Sequence, residues 1–329
     1  MASNDIFKGK TVLVTGGTGS FGQRFVRKLL DTGSIKKVIV FSRDEFKQHQ
    51  MQQAIPDPQR KLRFFLGDVR DLPRLNRALS GVDYVVHAAA LKQVPALEYN
   101  PLEAIKTNVF GTQNVIEASL DNGIKKAVFV STDKAVSPIN LYGATKLCAE
   151  KLFVAANAYR KNTNATSFSL VRYGNVVGSR GSIVDILRAQ RDKGAVILTD
   201  NRMTRFWITV DQGVQLVIDA LGLMRGGEIF VPKLSAAKVA DLISAFAPKA
   251  TVRVVGIRPG EKLHETLLTE DEVRRARDIG KYYVVEPQSH EEWDNTHLKK
   301  HKFVSSDFRY ASDSVKALTK KELLNILES

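Results

Sequence analysis

The stretch KTVLVTGGTGSFG, residues 10–22, contains the glycine pattern that decides the fold. Gly17, Gly19 and Gly22 follow a β-branched apolar run and open an amphipathic one, the Gly-x-Gly-x-x-Gly arrangement typical of dinucleotide-binding folds. Such glycines permit a tight turn and let backbone amides approach a pyrophosphate at the positive end of a helix. The stretch therefore predicts a strand, a turn and a helix that together hold a dinucleotide.

Strand-like and helix-like runs alternate through the first half of the chain. The predicted strands are continuous β-branched runs, at residues 10–17, 36–44, 62–69, 82–89, 126–133 and 167–177. The predicted helices lie between them, at residues 21–31, 45–53, 71–79, 101–121 and 141–159. Because strands joined through helices lie parallel in one sheet, we predict an α/β fold with a Rossmann-type, doubly wound parallel sheet.

The alternation breaks down from about residue 178. The later runs, among them TRFWITVDQGVQLVIDAL, indicate a smaller lobe at the carboxyl edge of the sheet, where ligands of open α/β sheets bind. We therefore divide the chain into a dinucleotide-binding Rossmann domain that carries the catalytic residues, 1–177, and a mainly substrate-binding C-terminal lobe with a tail, 178–329. Some segments of the second part are expected to return to the first.

Composition favours a globular protein of the cytoplasm. The 329 residues are 43% hydrophobic, yet the longest apolar runs are far too short to span a bilayer, and the start of the chain lacks the pattern of a signal peptide. A single cysteine, Cys148, excludes an intrachain disulfide and a multi-cysteine metal site, and we interpret it as a packing residue. His290, His297 and His301 lie in a charged tail and are expected to be solvated, so no metal is predicted.

The chain is basic, with 49 Lys and Arg against 35 Asp and Glu and a net charge of +14. Such a field attracts anions, which include nucleic acids, acidic membranes and phosphorylated metabolites. The basic residues are scattered among acidic ones, and the sequence contains no aromatic-interleaved basic module. We expect a solvated surface and no nucleic-acid partner; a salt-dependent shift with DNA would indicate otherwise.

The end of the second predicted strand bears on which nicotinamide dinucleotide is bound. Twenty residues after Gly22, where an NAD enzyme places an acid on the ribose hydroxyls, stand Ser42 and Arg43. A hydroxyl and a guanidinium suit a 2′-phosphate, so NADP is favoured over NAD. Asp44 and Glu45 leave NAD open, because a shift of one residue at the strand end restores an acid.

The segment STDKAVSPINLYGATK, residues 131–146, carries the candidate chemistry. Its Tyr142 and Lys146 are four residues apart at the start of a predicted helix and therefore share one helix face. A phenol, with a pKa of about 10, acts as a base near neutrality only beside positive charge, which Lys146 would supply. The pair predicts a proton-transfer site, although in isolation the same spacing also fits an exposed helix face.

Several segments of the chain together resemble one enzyme family. They are TGGTGSFG, HAAALKQVPALEYNP, STDKA, NLYGATK, VRYGNVVGSRGS, RMTRFWIT and IRPGEKLHE, in that order. They are similar to those of the inverting UDP-N-acetylglucosamine 4,6-dehydratases of pseudaminic acid and capsule-sugar biosynthesis, which are extended short-chain dehydrogenases/reductases. The glycine and Tyr–Lys motifs specify only the superfamily, whereas STDKA is much sharper, because ordinary nucleotide-sugar 4,6-dehydratases carry Thr-Asp-Glu there. RMTRFWIT and RPGEKLHE sharpen the resemblance further.

The resemblance implies a reaction: a lyase dehydrates UDP-N-acetylglucosamine to UDP-2-acetamido-2,6-dideoxy-β-L-arabino-hexos-4-ulose, inverting carbon 5, after transient oxidation by bound NADP. Tyr142 would take the proton of the 4-hydroxyl, with Lys146 beside it and Thr132 hydrogen-bonded to that oxygen. Lys134 would remove the proton on carbon 5, and Asp133 would protonate the departing 6-hydroxyl. For Lys134 to act as a base, its pKa is expected to fall by about two to three units.

The resemblance also implies which residues hold the two ligands. Those for the dinucleotide are Gly16, Thr18, Gly19, Ser20, Phe21, Gly22, Ser42, Arg43, Lys47, Asp68, Val69, Ala88, Ala89, Lys92, Asn108, Tyr142 and Lys146. Those for the nucleotide sugar are Lys92, Tyr173, Asn175, Ser179, Arg180, Thr199, Met203, Arg205, Arg258 and Glu261. Two interpretations stay open for Asp68, an adenine partner or a turn residue, and for His87, a residue facing the cleft or a satisfied core histidine.

Other functions remain open at this point. A nucleotide-sugar 4-epimerase or reductase would use the same fold and the same Tyr–Lys pair, but an epimerase has no need of an acid and an amine at carbons 5 and 6. A catalytically silent NADP-binding regulator is disfavoured by the presence of both Tyr142 and Lys146. The apolar faces of predicted helices 101–121 and 141–159 are of the kind that this superfamily pairs into dimers. The resemblance therefore implies a homo-oligomer, dimer-based and up to a hexamer.

Overall fold

Fourteen strands are found in the part of the chain that the computed structural model describes, residues 5–159, 166–178, 184, 187, 194–288 and 296–328. In chain order they are β1 Thr11–Thr15, β2 Lys37–Ser42, β3 Leu62–Leu66, β4 Tyr84–His87, β5 Lys126–Val130, β6 Ser167–Val171, β7 Asn175–Val176, β8 Ala195–Leu198, β9 Thr204–Ile208, β10 Ile229–Pro232, β11 Ala236–Lys238, β12 Thr251–Val254, β13 Ala276–Asp278 and β14 Tyr282–Val285. The six strands predicted from sequence correspond to β1–β6, at narrower bounds.

Nine of these strands form one sheet in the order β13-β14-β10-β6-β5-β4-β1-β2-β3. The chain runs outward from β1 to β3, crosses back to β4 and continues outward to β6, and these neighbours all pair in parallel. The order of strands therefore reverses between β1 and β4, the point at which doubly wound sheets bind their ligands. The predicted doubly wound sheet is confirmed; the antiparallel strands β14 and β13 at one edge are an addition to it.

Helices cover both faces of this sheet, which is why inner strands such as β1 and β6 are buried without alternation. The α-helices are Ser20–Asp31, Glu45–Ala54, Leu72–Leu79, Val94–Tyr99, Pro101–Ala104, Gly111–Asp121, Leu141–Ala155, Val210–Leu223, Val239–Phe246, Glu270–Val273 and Lys320–Glu328. Shorter turns are the π-helix Ile105–Phe110 and the 3-10 helices Asp5–Phe7, Asp133–Ala135 and Ala156–Tyr159. On one face Phe25 and Val217 belong to a single hydrophobic cluster, and on the other Leu75, Val115 and Phe153 belong to a second.

The single helix predicted over 101–121 is wrong in detail. The chain there forms two α-helices separated by the π-helix Ile105–Phe110, and the preceding helix Val94–Tyr99 was not predicted. In the π-helix the side chain of Asn108 accepts a hydrogen bond from the Leu91 amide at 2.8 Å and donates one to the Leu91 carbonyl at 2.9 Å. The irregular turn thus ties this helix to the loop after β4.

The strand predicted over 167–177 is also divided, because β6 ends at Val171 and β7 belongs to a second sheet. Gly174 lies at the division and passes directly over β9: a Cβ atom there would be 2.5 Å from the Cβ atom of Phe206. Only glycine permits this close approach. The glycine in VRYGNVV was the sequence signal for the change of sheet.

The second half of the chain both builds small sheets and extends the large one. Strands β7, β9 and β11 form a three-stranded sheet, and β8 pairs with β12. Strands β10, β13 and β14 join the large sheet beyond β6. Among the helices in the described part of the chain, none is long and apolar enough to cross a bilayer.

The prediction that Cys148 packs in the core is wrong, because this cysteine is exposed. Its helix, Leu141–Ala155, buries Tyr142, Ala149 and Phe153. At 100° per residue, position 148 lies to the side of the face that these residues share.

A buried cluster of charges joins the sheet to the second half of the chain. The guanidinium of Arg172, which is 1% exposed, contacts the Glu150 carboxylate at 2.6 Å and the Glu272 carboxylate at 2.9 Å. Glu150 also accepts a hydrogen bond from the Ser131 hydroxyl at 2.5 Å. Arg172 therefore connects the end of β6, the helix Leu141–Ala155 and the helix Glu270–Val273.

Replacement of this arginine should destabilise the fold strongly. Arg172→Met leaves two buried carboxylates without their cation, and we expect the free energy of unfolding to fall by about 3–5 kcal/mol in urea titration. The control is Arg24→Met, which breaks an ion pair to Asp211 whose side chains are half exposed; it should cost no more than about 1 kcal/mol. Equal losses in the two variants would contradict a special role for Arg172.

Candidate active site

A cleft of about 830 Å³ opens at the carboxyl ends of the central strands. It begins at the glycine loop after β1, passes the loops after β2, β4 and β5, and reaches Trp207 on β9. Of the residues expected to bind ligands or to act in catalysis, its wall contains Gly16, Thr18, Gly19, Ser20, Phe21, Gly22, Ser42, Arg43, Lys47, Asp68, Val69, Ala88, Ala89, Lys92, Thr132, Lys134, Tyr142, Lys146, Tyr173 and Asn175. The structure thus brings most of the predicted dinucleotide residues to one surface.

The glycine loop is shaped to accept a diphosphate. Gly16 has a φ of 65°, and a Cβ atom on it would lie 2.8 Å from the backbone of Ala89. A Cβ atom on Gly22 would lie 2.5 Å from the backbone of Gly17, so the helix can approach the turn only because residue 22 is a glycine. The helix Ser20–Asp31 has no side-chain cap on its amino end, and its positive end faces the cleft, where it would attract a ligand anion.

In the loop after β2, Asp44 makes contacts within its own helix. Asp44 caps the helix Glu45–Ala54 by accepting the Lys47 amide at 2.9 Å, and its carboxylate is 2.6 Å from the Lys47 ammonium. Arg43 lines the cleft with its side chain 55% exposed. The acid that left NAD open in the sequence caps its own helix, and both Asp44 and Arg43 line the cleft.

Asp68, at the third strand end, is held by arginines. Its carboxylate accepts a hydrogen bond from Arg70 at 2.8 Å and lies 3.7 Å from Arg43. Burial raises the pKa of the Asp68 carboxyl, but the hydrogen bonds and charges of Arg70 outweigh it, so the pKa lies below its usual value. Asp68 remains at the cleft wall, and both of its interpretations are still available.

His87 is a satisfied core histidine. Its ring is fully buried between the hydroxyl groups of Thr15 at 2.7 Å and Thr112 at 3.0 Å. Burial, followed by the charge of Lys146, lowers the pKa of His87 to about 3, so the ring is neutral. The interpretation that it faces the cleft is wrong.

Tyr142 and Lys146 both line the cleft from the helix Leu141–Ala155, whose amino end is capped by Asn140. The Lys146 ammonium donates to the Val130 carbonyl at 2.7 Å and lies 3.8 Å above the Phe129 ring. Burial lowers the pKa of Lys146 to about 7, against the opposing effect of Glu150. This lysine is therefore poised to change charge near neutral pH.

The phenol of Tyr142 is protonated at neutral pH within this environment. Burial raises its pKa to about 12, while the charge of Lys134 and a hydrogen bond with Thr132 act in the opposite direction. Of the charges that act on the phenol, Lys134 lowers its pKa and Asp133 raises it. Lys146 donates to the carbonyl at the end of β5, and its role beside Tyr142 stays a prediction.

The turn Asp133–Ala135 holds an acid and an amine in direct contact. The Lys134 ammonium lies 3.0 Å from Oδ1 of Asp133 and 3.3 Å from the Asn175 amide oxygen. The same Asp133 oxygen accepts the Thr132 hydroxyl at 2.9 Å. The Asp133 side chain is fully buried behind the cleft wall, and its second oxygen, Oδ2, has no hydrogen-bond partner among the described residues.

Sequence reasoning missed a second acid beside Lys134. Glu265 is 3% exposed, and its Oε1 lies 3.7 Å from the Lys134 ammonium. Burial lowers the pKa of Lys134, but Asp133 and Glu265 raise it more, and the net direction is upward. The expected fall in the pKa of Lys134 is therefore not found, because two carboxylates face the amine. The sequence signal for a buried Glu265 was its position just before the apolar pair Leu267 and Leu268 in HETLL.

Several predicted residues lie outside the cleft wall. Asn108 holds Leu91 instead, and Arg205, 8% exposed, donates to the carbonyls of Thr204, Leu263 and Lys262 at 2.7–3.2 Å. The remaining ones are Thr199, which contacts Met203, and Arg258, which contacts Glu261. Ser179 and Arg180 are outside the described residues. The guanidinium of Arg205 is thus occupied by backbone carbonyls, which keeps it from the cleft wall.

Metal ligands do not cluster in the described part of the chain. Its His, Cys, Asp and Glu side chains form no group of three or more that could hold an ion. His297, expected to be solvated, is 18% exposed and lies 3.5 Å from buried Glu228. That expectation is wrong for His297, while His290 falls outside the described residues.

Comparison with known proteins places the chain among sugar-nucleotide enzymes. The model of a family described as "Polysaccharide biosynthesis protein" matches residues 12–287. The inverting UDP-N-acetylglucosamine 4,6-dehydratase of Campylobacter jejuni subsp. jejuni serotype O:2 is 46% identical over 331 aligned positions, which cover 98% of each chain. A protein named UDP-glucose 4-epimerase from Rickettsia canadensis is 43% identical over 286 positions, covering 84% of this chain and 83% of its own.

Solved structures agree with the fold. Pen from Bacillus thuringiensis superposes with a TM-score of 0.89 at 37% identity, covering 98% of both chains. A dTDP-glucose 4,6-dehydratase from Streptomyces venezuelae, solved with NAD bound, has a TM-score of 0.71 at 26% identity and covers 85% of this chain and 92% of its own. The chain therefore belongs to the polysaccharide biosynthesis protein family, whose fold is that of the extended short-chain dehydrogenases/reductases. Within this family it is one of the inverting UDP-N-acetylglucosamine 4,6-dehydratases.

Proposed function

We propose that this chain removes water from UDP-N-acetylglucosamine and inverts carbon 5, forming UDP-2-acetamido-2,6-dideoxy-β-L-arabino-hexos-4-ulose. The observation that carries the proposal is the position of the Lys134 amine. It lines the same cleft as Tyr142 and has the Asp133 carboxylate 3.0 Å behind it. A dehydration at neighbouring carbons needs a base and an acid together, and this pair supplies both.

NADP is the proposed cofactor, and the residues at the cleft fit it. The uncapped helix start after Gly19 would hold the diphosphate, while Arg43 and Lys47 would hold the 2′-phosphate. When bound, NADP supplies a hydride acceptor for carbon 4 and the hydride that later reduces carbon 6. The Streptomyces relative is described with NAD, so the preference for NADP rests on Arg43 and on the use of Asp44 as a helix cap.

Tyr142 and Thr132 would act at the 4-hydroxyl. Because the pKa of Tyr142 is raised to about 12, its side chain is a protonated phenol at neutral pH and not a phenolate. Thr132 and the charge of Lys134 both act to lower that pKa, and both lie at the cleft wall. Tyr142 would therefore accept the sugar proton only as its own phenolic proton passes to solvent in the cleft, in step with the loss of hydride from carbon 4.

Asp133 and Lys134 would act at carbons 5 and 6. Transfer of one proton across their 3.0 Å contact converts the ammonium and carboxylate into a neutral amine and a carboxylic acid. The amine can then accept the proton of carbon 5, and the acid can protonate the departing 6-hydroxyl. A single proton, passed across this contact, therefore serves both the base and the acid.

The remaining assignments complete the proposal. Lys92, Tyr173 and Asn175 at the cleft wall would contact the sugar nucleotide, together with the predicted residues of the second lobe, 178–329. Exposed apolar side chains on the helices before Asp121, such as Tyr99 at 87% and Leu102 at 66%, favour a homo-oligomer. We further propose a cytoplasmic enzyme whose product feeds pseudaminic acid or a related capsule or O-antigen sugar.

The reaction can be tested in deuterated water. Incubation with UDP-N-acetylglucosamine and NADP, followed by NMR, should show a 4-keto-6-deoxy sugar of L-arabino configuration with deuterium at carbon 5. No net NADPH should accumulate, because the hydride returns to the sugar. A product with an intact 6-hydroxyl and an altered carbon 4 would contradict dehydration and indicate the alternative 4-epimerase.

Lys134→Ala should remove water loss while it leaves cofactor binding intact. Loss of the carbon 5 base is expected to lower kcat at least about 100-fold. The control is Lys151→Ala, an exposed lysine on the helix Leu141–Ala155, which should retain wild-type kcat. Normal turnover of Lys134→Ala, with unchanged NADP affinity measured by calorimetry, would exclude this lysine from the mechanism.

Arg43→Ala tests the choice of cofactor. Removal of a charge-assisted contact to the 2′-phosphate should raise the Kd for NADP about tenfold or more and leave the Kd for NAD within about twofold. Lys28→Ala, an exposed lysine in the last turn of the first helix, serves as the control for general loss of positive charge. An equal change for both dinucleotides would show that Arg43 does not select between them.

A further inference from the structure

Glu265 is a buried acid surrounded by cations. Its carboxylate lies 3.7 Å from Lys134, 3.8 Å from Arg205 and 3.7 Å from Lys262. These cations come from three parts of the chain: the turn after β5, strand β9 and the segment that carries Glu265 itself. The dehydration roles proposed above assign this acid no task.

The backbone of Glu265 is fixed by hydrogen bonds, whereas its carboxylate lies among cations. The Glu265 amide donates to the Ser312 hydroxyl at 2.9 Å, and the Ser312 amide donates to the Glu265 carbonyl at 2.8 Å. The nearest cations to the carboxylate are beyond ordinary hydrogen-bond distance, and its Oε2 has no hydrogen-bond partner among the described residues. A buried carboxylate of this kind is costly unless cations remain near it.

We propose that Glu265 is a positioning residue that holds the Lys134 amine in the cleft and governs when that amine carries a proton. The proposal rests on the function proposed for Lys134. Glu265 acts through Lys134, since it does not line the cleft. Lys134 therefore interacts with two carboxylates, those of Asp133 and Glu265, which belong to one cluster of charges.

The charges that face Lys134 determine the direction of its effect. Asp133 and Glu265 favour its ammonium form, whereas Arg205 and the neighbouring Lys262 disfavour a further positive charge. Without Glu265, one carboxylate would remain against these cations. Lys134 would then lose its proton at lower pH, and as a weaker base it would react more slowly once neutral.

This arrangement predicts the direction in which Glu265→Gln changes the kcat–pH profile. The alkaline-side midpoint of the kcat–pH profile, where the Asp133–Lys134 pair loses its shared proton, should move down by about one pH unit or more, because a carboxylate at such a distance is a strong local charge. The plateau below that midpoint should fall several-fold, because Lys134 becomes a weaker base. Misfolding or poor packing would lower the plateau but would leave the midpoint in place.

The midpoint can also be measured without turnover. Reductive ¹³C-methylation and NMR report the titration of each lysine, and the Lys134 signal is the one lost in Lys134→Arg. The Lys134 midpoint should be lower in Glu265→Gln and stay within a few tenths of a unit of wild type in Glu265→Asp. Glu270→Gln, which removes an exposed acid from the nearby helix Glu270–Val273, should leave it unchanged.

A variant of opposite sign guards against a folding defect. Lys262→Met removes a positive charge that repels the Lys134 ammonium. The pH at which Lys134 loses its proton should therefore rise. Unchanged midpoints in both Glu265→Gln and Lys262→Met would overturn the proposal. Because the NMR titration needs no substrate, it separates that outcome from a failure of wild type to dehydrate UDP-N-acetylglucosamine, which would overturn the proposed function instead.

Discussion

The buried ion pairs of Arg172 are the interaction on which the geometry of the site depends. Arg172 follows β6, Glu150 lies on the helix that carries Tyr142 and Lys146, and Glu272 belongs to the second half of the chain. Buried ion pairs contribute little net stability, but a displaced partner leaves an uncompensated charge at high cost. The cluster therefore restricts the helix, the strand and the later segment to one relative position, and the proton-transfer side chains are placed accordingly.

A close contact between the helix Leu141–Ala155 and the turn Asp133–Ala135 completes this placement. A Cβ atom on Gly143 would lie 2.1 Å from the Lys134 carbonyl oxygen, so no other residue could stand there without moving the turn. Glycine in a helix costs up to about 1 kcal/mol relative to alanine. In return the turn packs directly on the helix, and Tyr142 and Lys134 reach the same cleft.

The arrangement of charge behind the cleft distinguishes elimination of water from simple oxidation and reduction at carbon 4. An oxidation and its reversal need a proton acceptor at one hydroxyl, which Tyr142 can provide. Elimination needs in addition a base and an acid at adjacent carbons, and in the proposed mechanism the contact between Asp133 and Lys134 would supply both from one shared proton. Relatives with two different activity names are similarly close in sequence, and the chemistry of this pair favours the dehydratase.

The sequence by itself determined the parallel sheet, the glycine loop and the Tyr142–Lys146 pair, because each depends on a local pattern: apolar periodicity, the conformational freedom of glycine or helix spacing. Only the tertiary structure decided how the buried charges are shared. Glu265 approaches Lys134 from a distant segment, and Arg205 turns to backbone carbonyls. In a sequence a lone charged residue looks like solvated surface; whether it is buried, and beside which opposite charge, depends on the packing of segments far apart along the chain.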